Sequence, residues 1–171
     1  MDIKDAKLMG GIGSILALLS FIPKAGWIIS LVGFILVIIA IKKLTDATNR
    51  DDVFNDYLKG AIINIVGSII IAFVGGAFVI MAIMRRHAGV PNFGAIVIFL
   101  LIAWVVMIVG TYFMKKGLFG LSEATGEKNF ATAGNLLFWG AILLIIVIGG
   151  IVSLIGYIFQ IIAFFSLPDT I

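Results

Sequence analysis

Four polar side chains stand inside long apolar stretches: Asn64, Tyr112, Tyr157 and Gln160. Uncharged amides and phenols in such positions can do two things. They can hydrogen-bond one helix to another, or they can line a path for something polar. In lipid an interhelical hydrogen bond is worth about 0.6 kcal/mol on average. Helix contact is therefore the first expectation for these residues, and lining of a pathway the second.

Catalysis or ion coupling in a membrane asks for more. It needs an acid, a base or a nucleophile within the span, and a charge at the bilayer centre costs at least about 2.5–3.5 kcal/mol. No Asp, Glu, Lys, Arg or His lies in the middle of any apolar run. That pattern argues against a proton-coupled transporter, an intramembrane metalloprotease and a carboxylate-dyad enzyme. No catalytic, cofactor-binding or metal-binding residue is expected, and the chain reads as a non-enzyme. It has no cysteine, and its one histidine, His87, has no carboxylate near it in sequence. Thiolate and zinc sites both lack their ligands. Arg85 and Arg86 are candidates for contact with lipid phosphate, although flanking charge that orients the chain is the plainer reading. Gly10-Gly-Ile-Gly13 is only superficially a nucleotide loop. It precedes an apolar run, follows no strand pattern and lacks the Walker lysine.

The elements that would hold these residues are set by composition. Hydrophobic residues make up 62% of the chain and charged residues 12%, against roughly 25% charged in a soluble domain. The apolar runs are Leu8–Ile22, Ala25–Ile41, Gly60–Met84, Ala95–Met114 and Leu136–Leu167. A membrane helix needs about 20 apolar residues. The first two runs are short, and the last is long for one helix and barely enough for two. The opening segment mixes Asp2 and Asp5 with Lys4 and Lys7 and lacks a small-x-small cleavage site. It reads as a retained first helix.

An internal repeat resolves the count. Shifted by 123 positions, Trp27-Ile-Ile-Ser-Leu-Val-Gly-Phe-Ile35 lies on Gly150-Ile-Val-Ser-Leu-Ile-Gly-Tyr-Ile158. Gly11 falls on Gly134, Gly26 on Gly149, Leu44 on Leu167 and Asp46 on Asp169. Tyr157 falls on Phe34, which favours packing for its ring. A shift of 77 lays Trp27 on Trp104, Gly33 on Gly110, and Leu44-Thr-Asp-Ala-Thr48 on Leu121-Ser-Glu-Ala-Thr125. The fold expected is all-α: a single membrane domain, 1–171, of six transmembrane helices in three repeated hairpins, about 5–48, 58–125 and 131–171. The helices are expected at about 5–22, 25–43, 58–84, 94–118, 131–148 and 150–167, with the last turn at Gly149-Gly150.

Small residues at helical spacing mark packing faces: Gly26, Ser30 and Gly33; Ser68, Ala72 and Gly76; Gly149, Ser153 and Gly156. Phe54, Tyr57 and Leu58 share one face of an expected turn or two of interfacial helix leading into the third span, a membrane-surface anchor that Asn49 or Asp51 can cap.

Nine Lys or Arg lie on the side of the termini and three, Lys24, Arg85 and Arg86, on the other. The positive-inside rule then puts both termini in the cytoplasm of a multi-pass cell-membrane protein. The net charge of +3 sits in short flanks and not on one face, so nucleic acid is not an expected partner. The expected partners are the lipid bilayer and either further copies of the chain or a larger membrane complex.

Several stretches together resemble an uncharacterised, mainly archaeal integral-membrane family catalogued as domain of unknown function 996. They are Lys7-Leu-Met-Gly-Gly-Ile-Gly13, Phe21-Ile-Pro-Lys-Ala-Gly-Trp27, Leu44-Thr-Asp-Ala47, Val53-Phe-Asn55 and Ala163-Phe-Phe-Ser-Leu-Pro168. The resemblance implies a helical membrane fold and carries no activity, cofactor or substrate. On the residues themselves, an accessory membrane protein that packs laterally is the first functional expectation. A passive channel or a small-solute or lipid transporter between the hairpins, lined by Asn64, Gln160 and Tyr112, is the alternative.

Overall fold

The computed structural model describes residues 3–19, 26–84, 93–146 and 148–170. It is all-helical: α1 Lys4–Leu18, α2 Gly26–Thr48, α3 Asp51–Met84, α4 Phe93–Thr125, α5 Asn129–Leu143 and α6 Ile148–Ser166, with one 3-10 turn at Leu144–Ile146. Among the described residues, five helices are long and apolar enough to cross a membrane. A helix suits that solvent because it satisfies its own backbone hydrogen bonds.

The closest packing is between α1 and α2, α3 and α4, and α5 and α6. Contacts of α4 with α5, of α1 with α6, and of α2 with α3 and α4 then close the six helices into a ring. Lipid tails are as apolar as Leu, so hiding Leu gains little here, and close contact must hold the helices together. Glycine supplies it. A Cβ on Gly13 would stand 2.6 Å from the Gly33 carbonyl oxygen and 3.0 Å from the Val37 nitrogen. A Cβ on Gly60 would meet the Gly110 carbonyl oxygen and stand 2.5 Å from the Met114 nitrogen. The two contacts are alike: in each, one helix lays its backbone on a glycine and on the residue four further along. In the third pair, Gly140 and Gly149 face each other across α5 and α6.

Three expectations are corrected here. Gly149 and Gly150 do not make the last turn. Both lie in the first turn of α6, which begins at Ile148 after the 3-10 turn Leu144–Ile146. Gly149 is used for close approach to Gly140, not for backbone freedom. The segment 51–59 is not a separate interfacial helix either. It is the continuous start of α3, with Val53 and Tyr57 turned inward and buried. Gly120 and Gly117 of α4 receive them: a Cβ on Gly120 would meet Val53, and one on Gly117 would stand 2.5 Å from the Tyr57 Cβ. Nor does Asn49 cap that helix. It ends α2 in the left-handed region, φ 54°. The Arg50 amide donates to the Thr45 carbonyl (2.9 Å) and the Asn49 amide to the Asp46 carbonyl (3.4 Å), the Schellman pattern. Gly126, φ 76° and 77 positions on, ends α4, its amide donating to the Ser122 carbonyl at 2.9 Å.

Every helix sends one end into a single buried cluster. It includes Val37, Ile41 and Leu44 of α2, Val53 and Tyr57 of α3, Leu118 and Leu121 of α4, Phe130 of α5, and Ala163 and Phe164 of α6. Phe130 and Phe164 meet edge to face, ring centroids 5.0 Å apart. This is the end that carries the described termini, where the Ile3 amide donates to the Asp169 carbonyl at 3.0 Å.

The hairpins differ in height. At about 1.5 Å per residue, the 34 residues of α3 reach about 51 Å and the 15 of α1 about 22 Å. Counted from Gly110, α4 runs back 17 residues to Phe93, whereas α2 runs 7 from Gly33 to Gly26 and α6 runs 8 from Gly156 to Ile148. The far ends of α3 and α4 therefore outreach the others, leaving Phe73 at 78% exposure.

Helix propensity alone would favour replacing a mid-helix glycine by Leu, by up to about 1 kcal/mol. Gly33→Leu and Gly60→Leu should nevertheless destabilise the protein by about 1–3 kcal/mol. Gly76→Leu, where a Cβ meets open space, should stay within about 0.5 kcal/mol of the wild type or gain. Unfolding in detergent micelles checks the contrast, and equal effects at all three sites would contradict it.

Candidate functional site

A half-open cavity of about 360 Å³ lies between the second and third hairpins. α3 contributes Asn64, Gly67, Ser68 and Ile71 to its wall, and α4 the stretch from Ala103 to Met114. Leu137, Gly140 and Ala141 come from α5, Leu144 from the 3-10 turn, Gly150, Ser153 and Tyr157 from α6, and Phe34 alone from α2. The lining is mostly apolar and bears no charge. The buried cluster closes it towards the termini.

The polar groups of the wall fall into two sets. Ser68 donates to the Ile65 carbonyl and Thr111 to the Met107 carbonyl, each at 2.8 Å, so both hydroxyls are spent on their own helices. Asn64 donates through Nδ2 to the Met114 sulfur at 3.2 Å. Its Oδ1 is buried without a hydrogen-bond partner and faces the space a Gly110 side chain would need. Asn64 thus works chiefly between α3 and α4. Ser153 and Tyr157, one turn apart on α6, line the cavity and make no hydrogen bond among the described residues.

Magnitude bears on what such a space is for. At about 24 cal/mol per Å³, a void of this volume within packed hydrocarbon would cost on the order of 9 kcal/mol. That rivals the whole stability of a domain, about 5–15 kcal/mol. A cavity this large needs an occupant or an open side.

Gln160 lies elsewhere. It is 1% exposed on the seam between α1 and α6. Its Nε2 donates to Ser14 Oγ at 3.1 Å, and Ser14 Oγ donates to the Gly10 carbonyl at 2.8 Å. This is the helix-contact role. Tyr112 is also outside the cavity. It is 48% exposed on α4, with its ring edge-on to Phe113 and Phe138. Of the four polar residues singled out in the sequence, the fold brings Asn64 and Tyr157 to one cavity and sends the other two away. Arg85, Arg86 and His87 lie outside the described residues, as does the expected turn at 23–25.

Two of the three small-residue faces meet their hairpin partner. Gly26 is buried, Ser30 donates to the Ala17 carbonyl at 3.3 Å, and Gly33 meets Gly13. Gly149, Ser153 and Gly156 face Gly140 and Leu137 of α5 in the same order. The third meets no partner helix at Gly76 among the described residues. Ser68, Ala72 and Gly76 are exposed, and open space surrounds Gly76, because the tall hairpin outruns its neighbours there. The sequence reading also missed the glycines that do pack. They are Gly13, Gly60, Gly110, Gly117, Gly120 and Gly140, of which helical spacing on α4 signals Gly110, Gly117 and Gly120.

The end bearing the termini carries ion pairs. Each acid at the end of an even-numbered helix takes a cation. Asp46 pairs with Lys42 at 2.5 Å, Glu123 with Arg50 at 3.8 Å, and Asp169 with Lys7 at 3.3 Å. Arg50 also binds Asp52 through two nitrogens, at 2.9 and 3.0 Å. With Tyr112, Lys115, Phe119 and the Lys116–Asp56 pair (3.0 Å), Arg50 and Asp52 form a groove of about 500 Å³ with balanced charge. Exposed pairs of this kind contribute about 0–1 kcal/mol each. Among the described residues, no three His, Asp or Glu side chains converge on a metal position.

The family model described as protein of unknown function (DUF996) matches residues 29–158. The chain belongs to this family. It is similar to the uncharacterised protein MJ1644 of Methanocaldococcus jannaschii, with 35% identity over 170 residues, 99% of this chain and 95% of the relative. No solved structure matches. The DUF996 match covers the cavity wall from Phe34 to Tyr157 and leaves Gln160 and its partner Ser14 outside.

Proposed function

We propose that this DUF996 protein is a non-enzymatic accessory protein of the cell membrane that packs laterally with copies of itself or with a larger membrane complex. The observation that carries this reading is the height of the second hairpin. Beyond the level of its neighbours, α3 and α4 present Ala72, Gly76, Phe73, Ile83 and Ile98 to the surroundings. Small residues there allow a second helix to approach closely, and large ones flank the seat. Among the described residues the spans bury no Asp, Glu, Lys, Arg or His.

The topology proposed is six spans with both termini in the cytoplasm and three parallel hairpin repeats. Three features support it. The closest helix contacts fall within the three pairs, both left-handed helix ends lie 77 residues apart, and the Gly13–Gly33 contact has its likeness in Gly60–Gly110. α1, at about 22 Å, is shorter than a hydrocarbon core of about 30 Å. The short hairpins call for a locally thinned bilayer.

A second reading, a passive pathway for small solutes or lipids, is favoured by the cavity between the hairpins. The buried cluster at its base and the absence of Gln160 and Tyr112 from its wall turn that reading from a pore towards a pocket.

Lateral packing is tested by Ala72→Cys in a chain with no cysteine of its own. Thiol cross-linking in native membranes should give a higher-mass adduct, and a purely monomeric product would contradict the proposal. For orientation, Lys43→Cys should resist a membrane-impermeant maleimide added from outside, and Arg86→Cys should react. The reverse pattern would invert the topology.

A further inference from the structure

We infer that the cavity between the second and third hairpins is a binding site for a neutral, single-chain amphiphile of the long-chain alcohol class. The inference does not require anything to cross the membrane, so it stands apart from the transport reading.

The wall specifies the chemistry. No charged side chain lines the cavity, and an ionic headgroup would meet no counter-charge at membrane depth. The walls are apolar, supplied by Ile71, Ala103, Val106 and Leu144 among others. Apolar cavities exclude water and accept hydrocarbon. One hydroxyl breaks the pattern: Tyr157 lines the cavity and has no hydrogen-bond partner among the described residues, whereas the Ser153 Oγ stands where a Gly140 side chain would be, in the seam with α5. A phenol hydroxyl can both donate and accept, so an alcohol group can pair with Tyr157, which an alkyl chain would leave unpaired. Few, well-placed polar groups in an apolar concavity are the usual form of a small-molecule site.

The route in is also visible. Ser68 belongs to the cavity wall, and Ala72 and Gly76 continue its face of α3 one and two turns further out. All three are small and exposed. They leave a shallow track from the cavity towards the far end of the tall hairpin, along which an alkyl tail can lie. The cavity holds the volume of about twelve water molecules, at about 30 Å³ each, which suits the polar end and first part of a chain and not a whole phospholipid.

The test uses the full-length protein in phosphatidylcholine nanodiscs and a diazirine-bearing hexadecanol as probe, with peptide mapping of the adducts. Labelling should fall on cavity residues of α3, α4 and α6 and be competed by unlabelled hexadecanol. Tyr157→Phe keeps the ring and removes one hydroxyl. It should raise the concentration needed for half-maximal labelling about three- to tenfold, with thermal unfolding unchanged. Ala103→Phe, which fills the wall, should abolish it. Should Ala103→Phe fail to fold, Tyr157→Phe and the competition decide alone. Labelling confined to outward residues such as Ile98 and Ile102, labelling that Tyr157→Phe leaves unchanged, or equal labelling of the cavity by a diazirine phosphatidylcholine would overturn the proposal.

Discussion

Between two helices in a bilayer there is little to gain by removing apolar surface from a solvent that is itself apolar. What remains is contact at short range, and its strength depends on how closely two backbones can approach. In this protein that approach happens at glycines. Gly13 lies on Gly33, Gly60 on Gly110 and Gly149 on Gly140. On α4 two further glycines, Gly117 and Gly120, receive Tyr57 and Val53. The same constraint governs the ring's closing seam, where Gly10 and Gly11 of α1 receive the rings of Phe164 and Phe165. Without those seats the helix pairs would separate, and the cavity and the buried cluster would lose their walls.

The cavity follows from how unevenly this packing is distributed. Large side chains crowd the end that bears the termini, where Tyr57, Phe130, Phe164 and Leu118 are fully buried. Towards the other end, the second hairpin continues while the first and third stop. Ser153, Gly150 and Ala103 are small, so the walls recede there and leave space. A plug at one end and an opening at the other make a pocket and not a conduit. The polar residues divide along the same line. Gln160 Nε2 donates to Ser14 across a tight seam while its Oε1 stays buried without a partner, whereas Tyr157 lines the cavity.

The membrane character and the number of helices were legible from apolar runs and from the offset of 123, because low charge and matched Gly, Ser and Asp survive any detail of packing. The faces at Gly26–Ser30–Gly33 and Gly149–Ser153–Gly156 were legible for the same reason. Local roles of glycine were not. A glycine pair between two apolar runs reads equally well as a turn or as a close contact, and only the opposing Gly140 makes Gly149 a contact. Likewise the amphipathic stretch at 51–59 reads as a surface helix until Gly117 and Gly120 on a distant segment provide its seat. Asn64 and Gln160 looked alike in sequence. Their different surroundings come from which hairpins adjoin, and helical periodicity within one segment carries no information about that.

The central claim is that short contacts close six helices into one ring, with the first and last helices as its seam. The most direct measurement takes Ser14→Cys together with Gln160→Cys, in a chain with no other cysteine, and treats native membranes with a short thiol-to-thiol linker. Ser14 and Gln160 are within hydrogen-bond distance, at 3.1 Å, so the account predicts an intramolecular link between α1 and α6, identified by mass spectrometry of the joined peptides. If both thiols react singly and no intramolecular link forms, the ring is open and the account is contradicted.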